Sequence, residues 1–142
     1  MTDLIIPKKI ADIITCNRND LALGIKDMSA LSDRIDPQLD GNLRGEISPA
    51  YLISMTFFPN TVNEVTDFHI LGEHVTLRTA YSTSRIVGMS EDRQQVKTQS
   101  GSIYQISGLE SSEPPLPLLL HLCHTLHFWR LGKRFGVLEV YY

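Results

Sequence analysis

Four side chains near the C-terminus have the types and spacing that chemistry would use. His121, Cys123, His124 and His127 fall in the run LPLLLHLCHTLHFW. On a helix, His124 and His127 are three residues apart and Cys123 and His127 four, so either pair has the spacing to converge on a metal ion. The three histidines line one broad side of such a helix. A metal centre also needs ligands from outside the helix. Asp12 and Cys16, four apart in the first predicted helix, are the nearest candidates, and no matched ligand set appears. The preferred reading is a half-buried helix whose histidines hydrogen-bond or lie against a sheet. No metal or other cofactor is expected, and a small metal-dependent hydrolase ranks third among the functions considered. Acyl transfer through Cys123 or Cys16 would require a neighbouring base. The sequence has no nucleophile-elbow signal, and free cysteines are commonly inert core residues. Glu91-Asp92 reads as a solvated turn rather than a catalytic carboxylate pair.

Recognition asks less of the residues than catalysis does. Arg78, Arg85, Arg93 and Lys97 recur through the middle of the chain, with Tyr81 and Tyr104 between and beyond them. Cations interleaved with aromatic rings are the ingredients of a nucleic-acid surface. A formal net charge of −3 gives that reading no support, so it stands second. A protein-binding surface ranks first, as an adaptor, inhibitor or regulatory subunit. Tyr81, Tyr104, Trp129, Phe135, Tyr141 and Tyr142 are its candidate anchors, because aromatic side chains dominate interface energetics. Self-association would use the same physics. Gly41 and Gly45 do not form the glycine spacing of a dinucleotide or phosphate loop.

The elements that position these residues follow from patterning. With 142 residues, 42% hydrophobic and 20% charged, the chain fits one globular domain, 1–142. The two cysteines lie in no CxxC, so neither a disulfide framework nor zinc-finger spacing is present. The N-terminus lacks signal-peptide order. The longest apolar segment, Leu116 to Leu131, is broken by Pro117, three histidines and Arg130, so no membrane span is expected. A cytoplasmic location is the default expectation.

An N-terminal helical region is predicted over 8–35. Ile10, Ile13 and Ile14 have helical spacing, as do Leu21, Ile25, Met28, Leu31 and Ile35. Asp36 to Pro49, with its Pro, Asp-Gly and second glycine, reads as a loop. A β-rich core is predicted over 51–109. Tyr51 to Phe58 is a strand apolar on both faces, and Phe68 to Leu71 is a second, shorter one. His74 to Leu109 reads as a meander with strands at Val75–Tyr81, Ser84–Met89, Gln95–Gln99 and Ser102–Ile106. Ser90–Arg93 and Ser100-Gly101 make its turns. A connector with Pro114-Pro115 leads into a helix over 118–131. Gly132 is its predicted stop, and Lys133-Arg134 complement its C-terminus. Phe135 to Tyr142 is a predicted return strand to the meander edge. The fold class is α+β: a small curled antiparallel sheet, or a partly open SH3- or OB-like barrel, with flanking helices.

Overall fold

The structure, a computed structural model, describes residues 6–139. One sheet of seven strands organises them: β1 Leu21–Lys26, β2 Asn42–Phe57, β3 Val65–His74, β4 Thr79–Ser82, β5 Ile86–Met89, β6 Gln95–Thr98 and β7 Ser102–Ile106. One α-helix, α1 Leu116–Phe128, follows them. The class is broadly α+β. The hydrogen-bonded order is β4-β3-β2-β7-β6-β5, with β1 on the far half of β2.

The sheet is mixed rather than purely antiparallel. β2 and β7 run parallel, with Asn42 opposite Ser102 and Ile47 opposite Ile106. Four strands separate β2 from β7 in the chain, so the connection is long enough for a parallel return. The six strands on this path curl without closing into a barrel. β4 and β5 lie at opposite ends of the path, yet only Thr83, Ser84 and Arg85 join them. Three residues reach at most about 3.5 Å each, so the end of β4 and the start of β5 stay close, though the two strands are not paired among the described residues. Tyr81 of β4 and Tyr104 of β7 make contact across the interior, hydroxyl to hydroxyl at 2.7 Å.

β2 explains how one sheet carries two cores. Residues alternate sides along a strand. Tyr51, Ile53 and Met55 face an outer core with α1, while Ala50 and Leu52 face the inside of the curl. Ile47 also faces inward, three positions from Ala50, which unbroken alternation forbids. A bulge between them restores the phase: Ile47 sits opposite His74 and Ala50 opposite Gly72. The peptide bond inside it, Ser48-Pro49, is cis. A register shift between Ile86 and Gly88 does the same for β5, bringing both Ile86 and Met89 inward. Leu31 completes the inner core from a short 3-10 turn, Met28–Arg34, and is fully buried.

Several expectations are corrected. The stripe Leu21–Ile35 is not one helix: it is β1 followed by that 3-10 turn. Gly24 permits the strand, since a Cβ there would lie 2.9 Å from Ser54 Oγ on β2. Asp27 then breaks the stripe with an extended backbone, and its carboxylate accepts the Ser29 N–H at 2.9 Å. The predicted helix before Cys16 shrinks to one 3-10 turn, Ile10–Asp12. The predicted loop over 36–49 contains the first half of β2. Gly45 serves close approach there, because a Cβ would fall 2.4 Å from the His74 ring. Residues 75–78 form a turn rather than a strand. The His74 ring closes that turn by accepting the Leu77 N–H at 3.2 Å while Nε2 donates to the Arg44 carbonyl at 3.0 Å.

The predicted return strand does not form among the described residues. The segment after α1 docks instead on the N-terminal loop. The Thr15 and Cys16 N–H groups donate to the Phe135 carbonyl at 2.9 and 3.0 Å. Thr15 Oγ1 donates to the Gly136 carbonyl at 2.6 Å, and Asn17 Nδ2 to the Arg134 carbonyl at 2.7 Å. α1 also covers the β2–β4 side and not the β5–β7 meander.

Candidate functional site

α1 starts with Pro117 in its first turn, where proline's missing N–H and fixed φ suit a helix start. Leu118, Leu119, Leu122, Cys123 and Leu126 form its buried face. The stop is not Gly132. Arg130 takes the left-handed conformation at φ 65°. Its N–H donates to the His127 carbonyl and that of Leu131 to the Leu126 carbonyl, both at 2.9 Å, the Schellman pattern. Gly132 instead makes room for a side chain, since a Cβ there would sit 2.0 Å from His127 Nδ1. The ring therefore lies directly over the glycine.

That arrangement engages His127. Its Nε2–H donates to the carbonyls of Val137 and Leu138 at 2.9 and 3.2 Å, pinning the segment beyond the helix. Cys123 is fully buried, and burial pushes its thiol up to about 11. It is therefore a core thiol and not a nucleophile. Asp12 does approach this helix: it and Cys123 line one cavity of about 150 Å³. Its carboxylate, however, accepts the Lys8 and Lys9 N–H groups at 3.0 Å, and these hold its pKa below the usual carboxylate range. No group of three or more His, Cys, Asp or Glu side chains is placed to hold a metal among the described residues.

His121 and His124 go elsewhere. Together with Tyr81, Ser82, Ser84, Thr125, Phe128 and Trp129 they line a groove of about 340 Å³ between α1 and β4. Thr125 Oγ1 donates to Ser82 Oγ at 3.2 Å and ties helix to strand there. Burial, and then His124, hold the His121 pKa below the ordinary imidazole value. Phe128 stands at the helix end with 79% of its surface exposed.

A second cavity of about 270 Å³ shares Ser84 and Trp129 with the first. It opens where the outer face of β2 and β3 runs on past the helix. Met55, Phe57, Asp67 and His69 form its sheet wall, and Arg85 and Gln99 lie beside them. His69 packs against Trp129 with ring centroids 4.7 Å apart and ring planes tilted by 37°. Its Nδ1–H donates to the Thr83 carbonyl at 3.0 Å, and burial lowers its pKa. Arg85 Nη1 lies 4.0 Å from Asp67 Oδ1, and Arg85 Nε donates to Gln99 at 3.2 Å. The two cavities share Ser84 and Trp129 and make one groove, bordered by aromatic rings, imidazoles and one guanidinium. Such a surface suits non-covalent docking.

The other predicted residues do not share a site. Tyr104 is buried, its hydroxyl bonded to Tyr81, and burial first and that bond second push its pKa up to about 12. Phe135 is buried against the N-terminal loop. Tyr141 and Tyr142 lie outside the described residues. Arg78 sits in the β3–β4 turn and Arg93 in the β5–β6 turn, both at positive φ. Lys97 faces Asp40 at 3.7 Å. Of the four cations, Arg85 alone lines the groove, so the set makes no continuous track. Sequence reasoning missed Phe128, His69 and Asp67. A bulky apolar residue directly before the helix-ending pair Trp129-Arg130 was the available signal for Phe128.

Comparison with known proteins found no matching family model, curated protein or solved structure.

Proposed function

We propose that this protein is a non-enzymatic protein-binding module that docks its partner in the groove between α1 and the β3–β4 side of the sheet. The observation that carries this reading is Phe128. A phenylalanine at 79% exposure, on the rim of a groove that also holds Trp129 and Tyr81, leaves apolar area in water that a partner would cover. Trp129 is already oriented by its ring contact with His69, so little side-chain entropy remains to be lost on binding. Arg85 supplies the kind of cation that accompanies aromatic anchors at interfaces.

A photo-crosslinking residue placed at position 128 tests the reading in cells. Val62 is fully exposed in the β2–β3 connection and serves as the control position. Discrete protein adducts from position 128, absent from position 62 and lost when Trp129→Ala is added, are the expected result. The same adducts from both positions, or adducts indifferent to Trp129→Ala, would overturn it.

A further inference from the structure

β1 has one paired edge and one open edge. It pairs with β2 alone, and no hydrogen bond reaches its other edge among the described residues. Backbone direction alternates along an antiparallel ladder. The Phe58 N–H donates to the Asp20 carbonyl at 2.9 Å, so Asp20 points at β2. Ala22, Gly24 and Lys26 then point the same way, opposite Thr56, Ser54 and Leu52. Ile70 fixes the same phase from the far side of β2. It lies opposite Leu52, yet its N–H and carbonyl bond Thr83, away from β2, so Leu52 must point at β1. Leu21, Leu23 and Ile25 therefore aim their N–H and carbonyl groups outward. Such a row is a template for a further strand.

We infer that β1 pairs antiparallel with β1 of a second copy of this chain, about a two-fold axis through Leu23. Outward residues must lie opposite outward residues. An axis at Leu23 sets Leu21 opposite Ile25 of the second copy, Leu23 opposite Leu23 and Ile25 opposite Leu21, so all three outward residues are paired. An axis at Ala22 or Gly24 pairs only two of them within the strand. The side chains fit the same register. Leu21, Leu23 and Ile25 face the outer core, Leu21 buried and the other two half-buried. A cavity of about 210 Å³ opens beside Leu21, lined by Ala11, Ile14, Arg18, Ala22 and Leu23. Ile25 of the second copy lies opposite Leu21 on the same face, so its side chain enters that cavity, and the axis repeats the contact. Lys26 ends the ladder opposite Asp20 rather than another cation. A two-fold pairing of this kind closes, leaving β1 no open edge in either copy. It shares no residue with the groove beside α1.

Sedimentation of the full chain over a range of concentrations tests the pairing. A monomer–dimer equilibrium is expected. Leu23→Pro removes an outward N–H and no bond to β2, and proline is tolerated on such an edge. The variant should stay folded by circular dichroism and dimerise about tenfold or more weakly. Cysteines placed on β1 read the register, in a Cys16→Ser background because Cys16 is exposed. The Leu23 Cα atoms of the two copies would lie about 5.5 Å apart, within disulfide reach. Leu23→Cys should therefore give a disulfide-linked dimer on mild oxidation with copper phenanthroline. Lys26→Cys, about 20 Å from its counterpart, should not. A monomer at every concentration would overturn the inference. So would a dimer indifferent to Leu23→Pro, or one in which Lys26→Cys links as readily as Leu23→Cys.

Discussion

The two faces of the sheet are built from the same strands and do opposite things. Inside the curl, Ile47, Leu52, Ile70, Met89 and Val96 are sealed from water by the sheet itself, with Leu31 as a plug. On the outside, the cover is one helix of 13 residues, with Ile10, Ile13, Ile14, Phe135 and Val137 beside it, laid on a sheet whose longest strand has 16. A helix rises about 1.5 Å per residue and a strand about 3.3 Å. α1 therefore spans about 20 Å where β2 runs about 50 Å along its bent path. The outer face outlasts its cover. Past the last turn of α1, Met55, Phe57, Asp67 and His69 line an open cavity instead of a core. Both faces carry a buried core, and the candidate site lies where the second layer stops short.

Substitutions that treat the faces differently give the sharpest test. Leu52→Ala or Ile70→Ala, each removing a fully buried side chain, should cost about 2–5 kcal/mol. Urea unfolding would show this as a large fall in midpoint. If Phe128→Ser costs as much, the contrast between a sealed and an open face fails, because an exposed substitution should stay within about 0.5 kcal/mol.

The next effect concerns how the end of α1 is held. Gly132→Ala puts a methyl group into the space of the His127 ring and should displace it from the Val137 and Leu138 carbonyls. A loss of about 1–3 kcal/mol is expected. His127→Ala should remove most of that sensitivity, so the double variant should be far from additive in a thermodynamic cycle. Additive losses would mean that the glycine and the histidine act separately.

Smaller still is the hydroxyl pair inside the curl. Tyr104→Phe keeps the ring and removes one partner of the 2.7 Å bond to Tyr81. The cost should be about 1 kcal/mol by urea titration. A neutral result would show that the bond does not help hold β4 against β7 across the curl.

The last contrast is in pH. His69 and His121 both line the groove, and burial is the leading cause that lowers each pKa. The unfolded chain therefore takes up protons that the folded chain resists. The stability these residues protect is intact above the ordinary histidine pKa of about 6.5 and falls as pH drops below it. His69→Gln should flatten the slope of unfolding midpoint between about pH 7 and about pH 5. An unchanged slope would show that His69 does not carry it.

Local chemistry was the legible part of the chain. The strand at Ser102–Ile106, the Ser90–Arg93 and Ser100-Gly101 turns and the apolar face of the last helix follow from propensity and spacing over a few residues. So does the observation that Tyr51 to Phe58 is apolar on both sides, which the two cores explain. The errors came where one pattern satisfies two structures. Leu21, Ile25, Met28 and Leu31 suit a helix stripe, but Gly24 and Asp27 divide it into a strand and a turn. Gly41 and Gly45 read as loop residues because a glycine needed for a turn and one needed for close approach look alike in one dimension.

The histidine helix shows the same limit at the candidate site. Its spacing alone determined that a helix would carry His121, Cys123, His124 and His127. Composition determined that an apolar face would bury part of it. Tertiary structure decided what each residue became: Cys123 a core thiol, His127 a clip on two carbonyls, His121 and His124 part of a groove wall. The same holds for the parallel pairing of β2 with β7 and for the contact of Tyr81 on β4 with Tyr104 on β7. Sequence spacing controls which side chains share a face, because backbone periodicity is local. Which face meets carbonyl, ring or water depends on contacts tens of residues apart, which only the folded chain brings together.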